Sequence, residues 1–555
     1  MADLVLDKEL SAVSSASEAE GSFRDIGGER FYRIANHDVM RPFFMSLVSD
    51  SDHWFFISSN GALTAGRRDA DHALFPYDTD DRIHDSLDQT GSKTLLQITR
   101  GPATALWEPF SMRYEGIYRI TRNLYKSVYG NKIIFEEINH DLELSFQTHW
   151  MNSDRFGLVR RSVLANQGTG PVKVDLLDGI QNVLPCGLGR RFQMEYSTLG
   201  DAYKRTELLS EAGLVLFRLS SIPADQPEPN EALRVNVAWS TGLHYTQCLL
   251  SSAQVRAFRQ GKAIQGETDV RGQRGAYLLN ATLLLAEGAQ REWHLVADLG
   301  LDAVRVQALK HLLENESNLT ALVLEDVERG TRNLVNIVAS ADGLQLTGDE
   351  PSAWRHFSNT LFNVMRGGLP DDGYRISLAD LRSFLRKANR DLANRHASFL
   401  DSLPETLPHA ELLSRTAVLR DVDLDRLVTE YLPLTFSRRH GDPSRPWNVF
   451  SIQVKDAQGK KILGYEGNWR DIFQNWEALG FSFPGYLESM IFKFADSSTA
   501  DGYNPYRVMQ GGFDWEVIDP HDAWSFIGYW GDHQVIYFLK LLEASHRYHP
   551  GQLAR

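Results

Sequence analysis

Two periods divide the chain. From about residue 28 to about residue 300, apolar and polar residues alternate in short runs such as "HWFFISSN", "KTLLQITR", "KIIFEEINHDLELSFQTHWM", "FGLVRRSVLANQ", "ALRVNVAWS" and "GAYLLNATLLLAEG". These runs are rich in β-branched and aromatic residues, and Gly, Asn or Asp falls between them. A period of two puts successive side chains on opposite faces of a strand, so each run predicts a strand. This many strands without interleaved helices predict a large antiparallel sandwich.

Near residue 301 the period lengthens. "LDAVRVQALKHLLENESNLTALVLEDVERGTRNLVNIVAS", "SAWRHFSNTLFNVMRGG" and "SLADLRSFLRKANRDLANRHASFLDSL" repeat apolar residues three and four apart, as helices do. Ser377 precedes an acid-bearing first turn and reads as an N-cap. A Pro-containing stretch, "DSLPETLPHAE", follows. From about residue 421, helical segments are joined by long Gly- and Trp-rich loops, and such loops in a compact domain are usually functional. The expected organisation is an extension over 1–27, a β-sandwich over 28–300, a helical linker region over 301–420 and a helical domain over 421–555.

Composition narrows the function. The net charge of −14 argues against non-specific nucleic-acid binding, which needs a basic footprint. Two cysteines, Cys186 and Cys248, are too few for a disulfide framework and fit a reducing compartment. The N-terminus lacks the basic and apolar regions of a signal peptide, and no apolar run approaches the roughly 18–20 residues of a membrane span. The expectation is a cytoplasmic protein with no membrane and no nucleic-acid partner. No His, Cys, Asp or Glu group has a supported metal-site spacing, so no metal and no cofactor are expected.

The loops between residues 436 and 534 carry the strongest chemical signal. They hold Trp447, Trp469, Trp476, Trp515, Trp524 and Trp530, half of the twelve Trp in the chain, with Asp471, Glu477, Asp514, Glu516, Asp519, Asp522 and Asp532. A sugar ring has apolar C–H faces and a polar rim, so its sites combine aromatic platforms with carboxylates, amides and Arg. The plain alternative is a core of Trp residues with Asp capping helices. Asp532, in "YWGDHQ", is the best single candidate for a general acid. A carboxyl packed against aromatics loses hydration and holds its proton to higher pH.

"GYWGDHQVIYFLKLLE", preceded by "GNWRDIFQNWEALG", resembles the cellobiose-phosphorylase-like inverting glycoside phosphorylases. The resemblance implies an N-terminal β-sandwich (super-sandwich), a helical linker and the first part of an (α/α)6 barrel. Trp530-Gly531-Asp532 matches the family's Trp-x-Asp spacing, which implies Asp532 as proton donor. Arg470, Asp471 and Gln474 match its Arg-Asp-x-x-Gln-Asp motif beside the scissile bond, and Asn475 departs from the final Asp. Trp469, Asp514, Trp515 and Trp530 complete the expected substrate-binding set. The segment "SSNGALTAGRRDADHALFPYDTDDRIHD" is closer to the large phosphorylases acting on β-1,3-glucan oligosaccharides, so β-1,3 linkages are favoured over β-1,4.

The reaction so implied is reversible inverting phosphorolysis, with an oligosaccharide and inorganic phosphate as co-substrates. The phosphate ligands stay open, with Arg438, Arg439, His440, Arg445 and Arg507 in view. About 130 residues from residue 425 hold at most half of a twelve-helix barrel, so the expectation is an N-terminal half that dimerises or pairs with a downstream C-terminal half. Two other readings stand beside this one. One is a helical-barrel glycoside hydrolase with Asp514, Glu516 or Asp519 as base, and the other is a non-catalytic carbohydrate-binding fragment.

Overall fold

The computed structural model describes residues 18–554 apart from 102, 225–229, 446–447, 457–458, 516–517, 519, 522–527 and 531. It forms two compact units that divide between Gly330 and Thr331, inside the helix Leu319–Ala339, with Asp50–Asp52 grouping with the second.

The first unit is built of antiparallel sheets, as alternation predicts. One sheet has eleven strands, running from Glu20–Ile26 at one edge through Leu144–Ser153 and Gly157–Asn166 to Asp269–Arg271 at the other. A second has five, centred on Val172–Val183 between Gly91–Arg100 and Gly275–Leu285. The first strand begins at Glu20, inside the stretch expected to be an extension. Buried Phe55, Phe75, Trp150, Phe217 and Tyr277 form one core, and Trp107, Phe146, Leu176 and Trp293 another.

A buried ion pair joins the two layers. Arg160 of the large sheet donates to both oxygens of Asp178 in the smaller one, at 2.8 and 3.1 Å. Trp293 Nε1 and Thr94 Oγ1 donate to the same carboxylate, each at 2.6 Å. Burying a charge pair is tolerable only when its remaining lone pairs are met, and Asp178 satisfies that condition.

The second unit is helical. The helix Glu350–Gly367 ends at Gly368, whose φ of 77° a side chain would strain. Leu369–Pro370 then pairs with Leu434–Thr435, and Asp371 N–H donates to Pro433 O at 3.0 Å. Everything between these neighbours is an excursion that leaves and returns at one point. It holds the helices Leu378–Ala388, Arg390–Arg395, Ala397–Asp401, His409–Ala417 and Val422–Thr429 around Leu381, Phe384, Leu385, Leu392, Leu412 and Tyr431. The stretch expected as a linker thus contains a self-cored insertion, and Val422–Thr429 belongs to it.

Three further helices follow: Trp469–Ser482, Leu487–Ser497 and Asp532–Tyr548. Their contacts give their directions. Glu477 meets Lys540, and Phe481 meets Tyr548, so the Trp469 helix and the Asp532 helix run parallel. Glu488 meets His549 and Phe494 meets Phe538, so the helix between them runs the other way. Among the described residues, no helix is long and apolar enough to cross a membrane.

Candidate active site

The parallel pair brings two helix starts to one end of the second unit. Arg470 and Asp471 lie in the first turn of the Trp469 helix, and Asp532 opens the other. Each start is fed by a small antiparallel sheet. Glu466–Asn468 pairs with Arg507–Met509, which pairs with Gly512–Asp514, and Tyr503–Pro505 pairs with Gly528–Trp530. The two motifs, some sixty residues apart in sequence, therefore share a face. Asp532 and Trp530 are placed by their backbone, and the side chains of residues 529–533 lie outside the described residues, as do Trp447, Glu516, Asp519, Asp522 and Trp524.

Trp469 differs from the expectation. It is 0% exposed, with its ring edge-on to Phe473, Trp476 and Phe494 at 5.4–5.7 Å. The apolar stripe of its helix (Trp469, Ile472, Phe473, Trp476, Leu479) faces inward, and burial of the indole on that stripe outweighs any role as an open platform. Asn475 is also buried, donating to Asn363 Oδ1 at 3.0 Å on the Gly367 helix, so it serves a helix–helix contact. Arg470 and Gln474 are exposed and Asp471 is half-buried.

Trp515 has an open face. It is 40% exposed and stacks on Tyr503 with ring centres 5.7 Å apart. Tyr503 is in register with Trp530, two residues before Asp532. A side chain on Gly528 would collide first with the Asn504 carbonyl oxygen of the paired strand and then with the Trp515 and Tyr503 rings, so glycine there permits the close approach.

Charged groups lie near the start of the Trp469 helix. Arg507 bridges Glu466, at 2.7 Å, and Asp514. Burial works against its charge, and the two carboxylates more than offset that and raise its pKa. Arg366 donates to His440 Nε2 at 3.0 Å, and the Asp471 carboxylate acts on both. Desolvation, with Arg366 beside it, pushes His440 down to about 4, so the ring is a neutral acceptor near pH 7. Arg438 is buried and donates to Ser51 O at 3.0 Å, and Arg439 lies over the Tyr506 ring.

Some of the buried polar atoms that lack a partner lie at this end. Asn468 Oδ1, Trp469 Nε1 and both amide atoms of Gln534 are buried without a hydrogen-bond partner among the described residues. Buried polar groups are nearly always paired, and exceptions call for a reason. Sequence reading passed over Gln534, Arg366 and Glu466. Gln534 was visible two residues after Asp532, on a face otherwise apolar. Arg366 had no local signal, because a chain return brings it to the site. No group of three or more His, Cys, Asp or Glu among the described residues is arranged to hold a metal ion.

The insertion touches this face. Gln510, in the turn between the paired strands ending at Met509 and starting at Gly512, donates to Asp380 Oδ2 at 3.0 Å, and Tyr431 donates to the same carboxylate. Residues 371–433 match the family model described as glycoside hydrolase family 149 insertion domain 1. The matched bounds coincide with the residues where the excursion leaves and returns. No curated protein matches the chain. Similar solved structures include a bacterial glucoamylase complexed with acarbose, 8% identical over 95% of this chain and 69% of its own, with a TM-score of 0.34. A polysaccharide lyase named BACCELL_00875 is 12% identical over 48% of this chain and 34% of its own, at 0.28. A protein from the human microbiome assigned as a kojibiose phosphorylase is 8% identical over 82% and 56%, at 0.30. The chain thus spans about a third of the lyase and just over half of the last.

Proposed function

We propose that the chain carries the acid-bearing part of an inverting glycoside phosphorylase acting on a β-linked glucan oligosaccharide, β-1,3 before β-1,4, within a helical (α/α)6-type domain. The observation that carries this reading is the parallel run of the Trp469 and Asp532 helices, which puts the Arg470–Asp471 and Trp530–Asp532 motifs at one end. The match of residues 371–433 to a glycoside hydrolase family's insertion domain supports it.

In this reading Asp532 gives its proton to the glycosidic oxygen as the C–O bond breaks. Phosphate attacks the anomeric carbon from the opposite face, and the product is a sugar 1-phosphate of inverted configuration. An inverting hydrolase needs a second carboxylate to activate water, whereas phosphate is already a nucleophile and needs cations and donors to hold it. Arg366, Arg439 and Arg445 are the cations proposed to serve it. Asp514, the described member of the three acids considered as a hydrolytic base, is engaged by Arg507. Trp515 and Tyr503 supply the sugar platform in place of Trp469.

The test supplies glucose 1-phosphate with a panel of glucose and β-glucan acceptors and follows phosphate release. Release with a β-1,3-linked acceptor supports the reading. Free glucose from an oligosaccharide without phosphate would mark a hydrolase.

A further inference from the structure

The first unit holds a basic cleft lined by none of the residues assigned to the reaction above. The strand Val172–Val183 has a register shift between Gln181 and Val183, where Asn182 takes a left-handed φ of 54°. Such bulges re-aim side chains. Asn182 lines two adjoining cavities, of about 370 and 240 Å³, which also share Arg274.

The larger cavity gathers Lys93, Arg113, Arg256, Arg259 and Arg274, in a chain whose net charge is −14. The carboxylates in and beside it are already engaged. Glu108 takes Lys93 and Arg259, each at 3.1 Å, and Asp88 takes Lys93 at 3.0 Å. Arg113 stays 3.9 Å from Asp88, and Arg274 offers its Nε to Asp201 at 3.3 Å. Arg256 is exposed and reaches no carboxylate among the described residues. Five cations thus face three carboxylates, and the excess sits on the three arginines at the rim. The wall of this larger cavity holds amides and no aromatic ring, so it suits an anion and not the face of a neutral glucan. Its volume falls in the range of small-molecule sites and exceeds what one phosphate fills. The smaller cavity adds Ser86, Gln193 and Ser197, which match hydroxyl groups, beside Tyr77 and the paired charges of Asp78 with Arg82 and Asp201 with Lys204.

We propose that this cleft binds a phosphate monoester of a sugar or small polyol, with the phosphate against Arg113, Arg256 and Arg274 and the hydroxyl-bearing part beside Asn182 and Ser197. Guanidinium forks bind phosphate bidentately, and the monoester dianion matches the excess charge. The site stands on the first unit's own residues and holds whether or not the reaction above is the right one.

Hydrogen exchange on the full chain tests it, with glucose 6-phosphate, inorganic phosphate and glucose compared at one concentration. Glucose 6-phosphate is expected to slow exchange in residues 252–259 and 273–274, and glucose to leave them unchanged. In Arg256→Ala/Arg274→Ala, both rim residues, the affinity should fall at least about tenfold while residues 466–471 behave as before. No protection, equal protection by glucose, or unchanged affinity in the variant would overturn the site. Protection by inorganic phosphate as strong as by the ester would overturn the sugar part of the assignment.

Discussion

The Lys540 ammonium lies 3.8 Å from the Glu477 carboxylate, and this pair reads out the direction of the two helices that carry the candidate chemistry. As a half-exposed contact it adds little stability. Its value is geometric. With Phe481 against Tyr548 and Leu541 beside Gly480, it sets a parallel register that brings Asp532 level with the first turn of its neighbour.

Two tryptophans expected in one role should behave oppositely. Trp469→Ala empties a packed aromatic core and should cost about 3–5 kcal/mol in urea unfolding. Trp515→Ala removes an exposed, stacked ring and should leave stability nearly unchanged while raising KM for oligosaccharide about tenfold. Equal stability losses in the two variants would contradict this division.

The distinction was partly legible. Trp469 stands at the head of a 469, 472, 473, 476, 479 stripe, and that spacing alone places it on the buried face. Its neighbours in the motif, Arg470 and Gln474, fall off the stripe and are exposed. The strand-rich first unit was read from alternation because each strand announces itself locally. The insertion was not, since its helices look like linker helices. What defines it is the meeting of Asp371 with Pro433, a long-range contact that no local pattern encodes. Arg366 was missed for the same reason.

The ion pair between the sheets of the first unit should be costly to break. Asp178→Ala strands the buried Arg160 guanidinium and unpairs Trp293 Nε1. The expected loss is about 3–5 kcal/mol, read as a lower urea midpoint for the first unit's transition. A loss below about 1 kcal/mol would show that water reaches Arg160 in its place.

Glu430 should make stability depend on pH. Desolvation raises its pKa to about 7, with the nearby Asp496 adding to the shift and Lys493 and Arg426 opposing it. A carboxyl whose folded pKa is raised contributes fully below its unfolded value near 4.5, and that contribution is lost as pH rises through about 7. Glu430→Gln removes the titration, so the variant should gain on the native protein between pH 5 and pH 8 in paired urea titrations. A difference that is constant with pH would place the proton elsewhere.

Asp532 decides the account. Asp532→Asn keeps size and shape and removes the carboxyl that gives a proton to the departing oxygen in phosphorolysis and, by microscopic reversibility, takes one from the acceptor hydroxyl in synthesis. Measured as phosphate release from glucose 1-phosphate with a β-glucan acceptor, the variant should be slower by about 10²–10⁴ with acceptor KM little changed. Turnover close to that of the native protein would contradict the assignment of Asp532 as the proton donor.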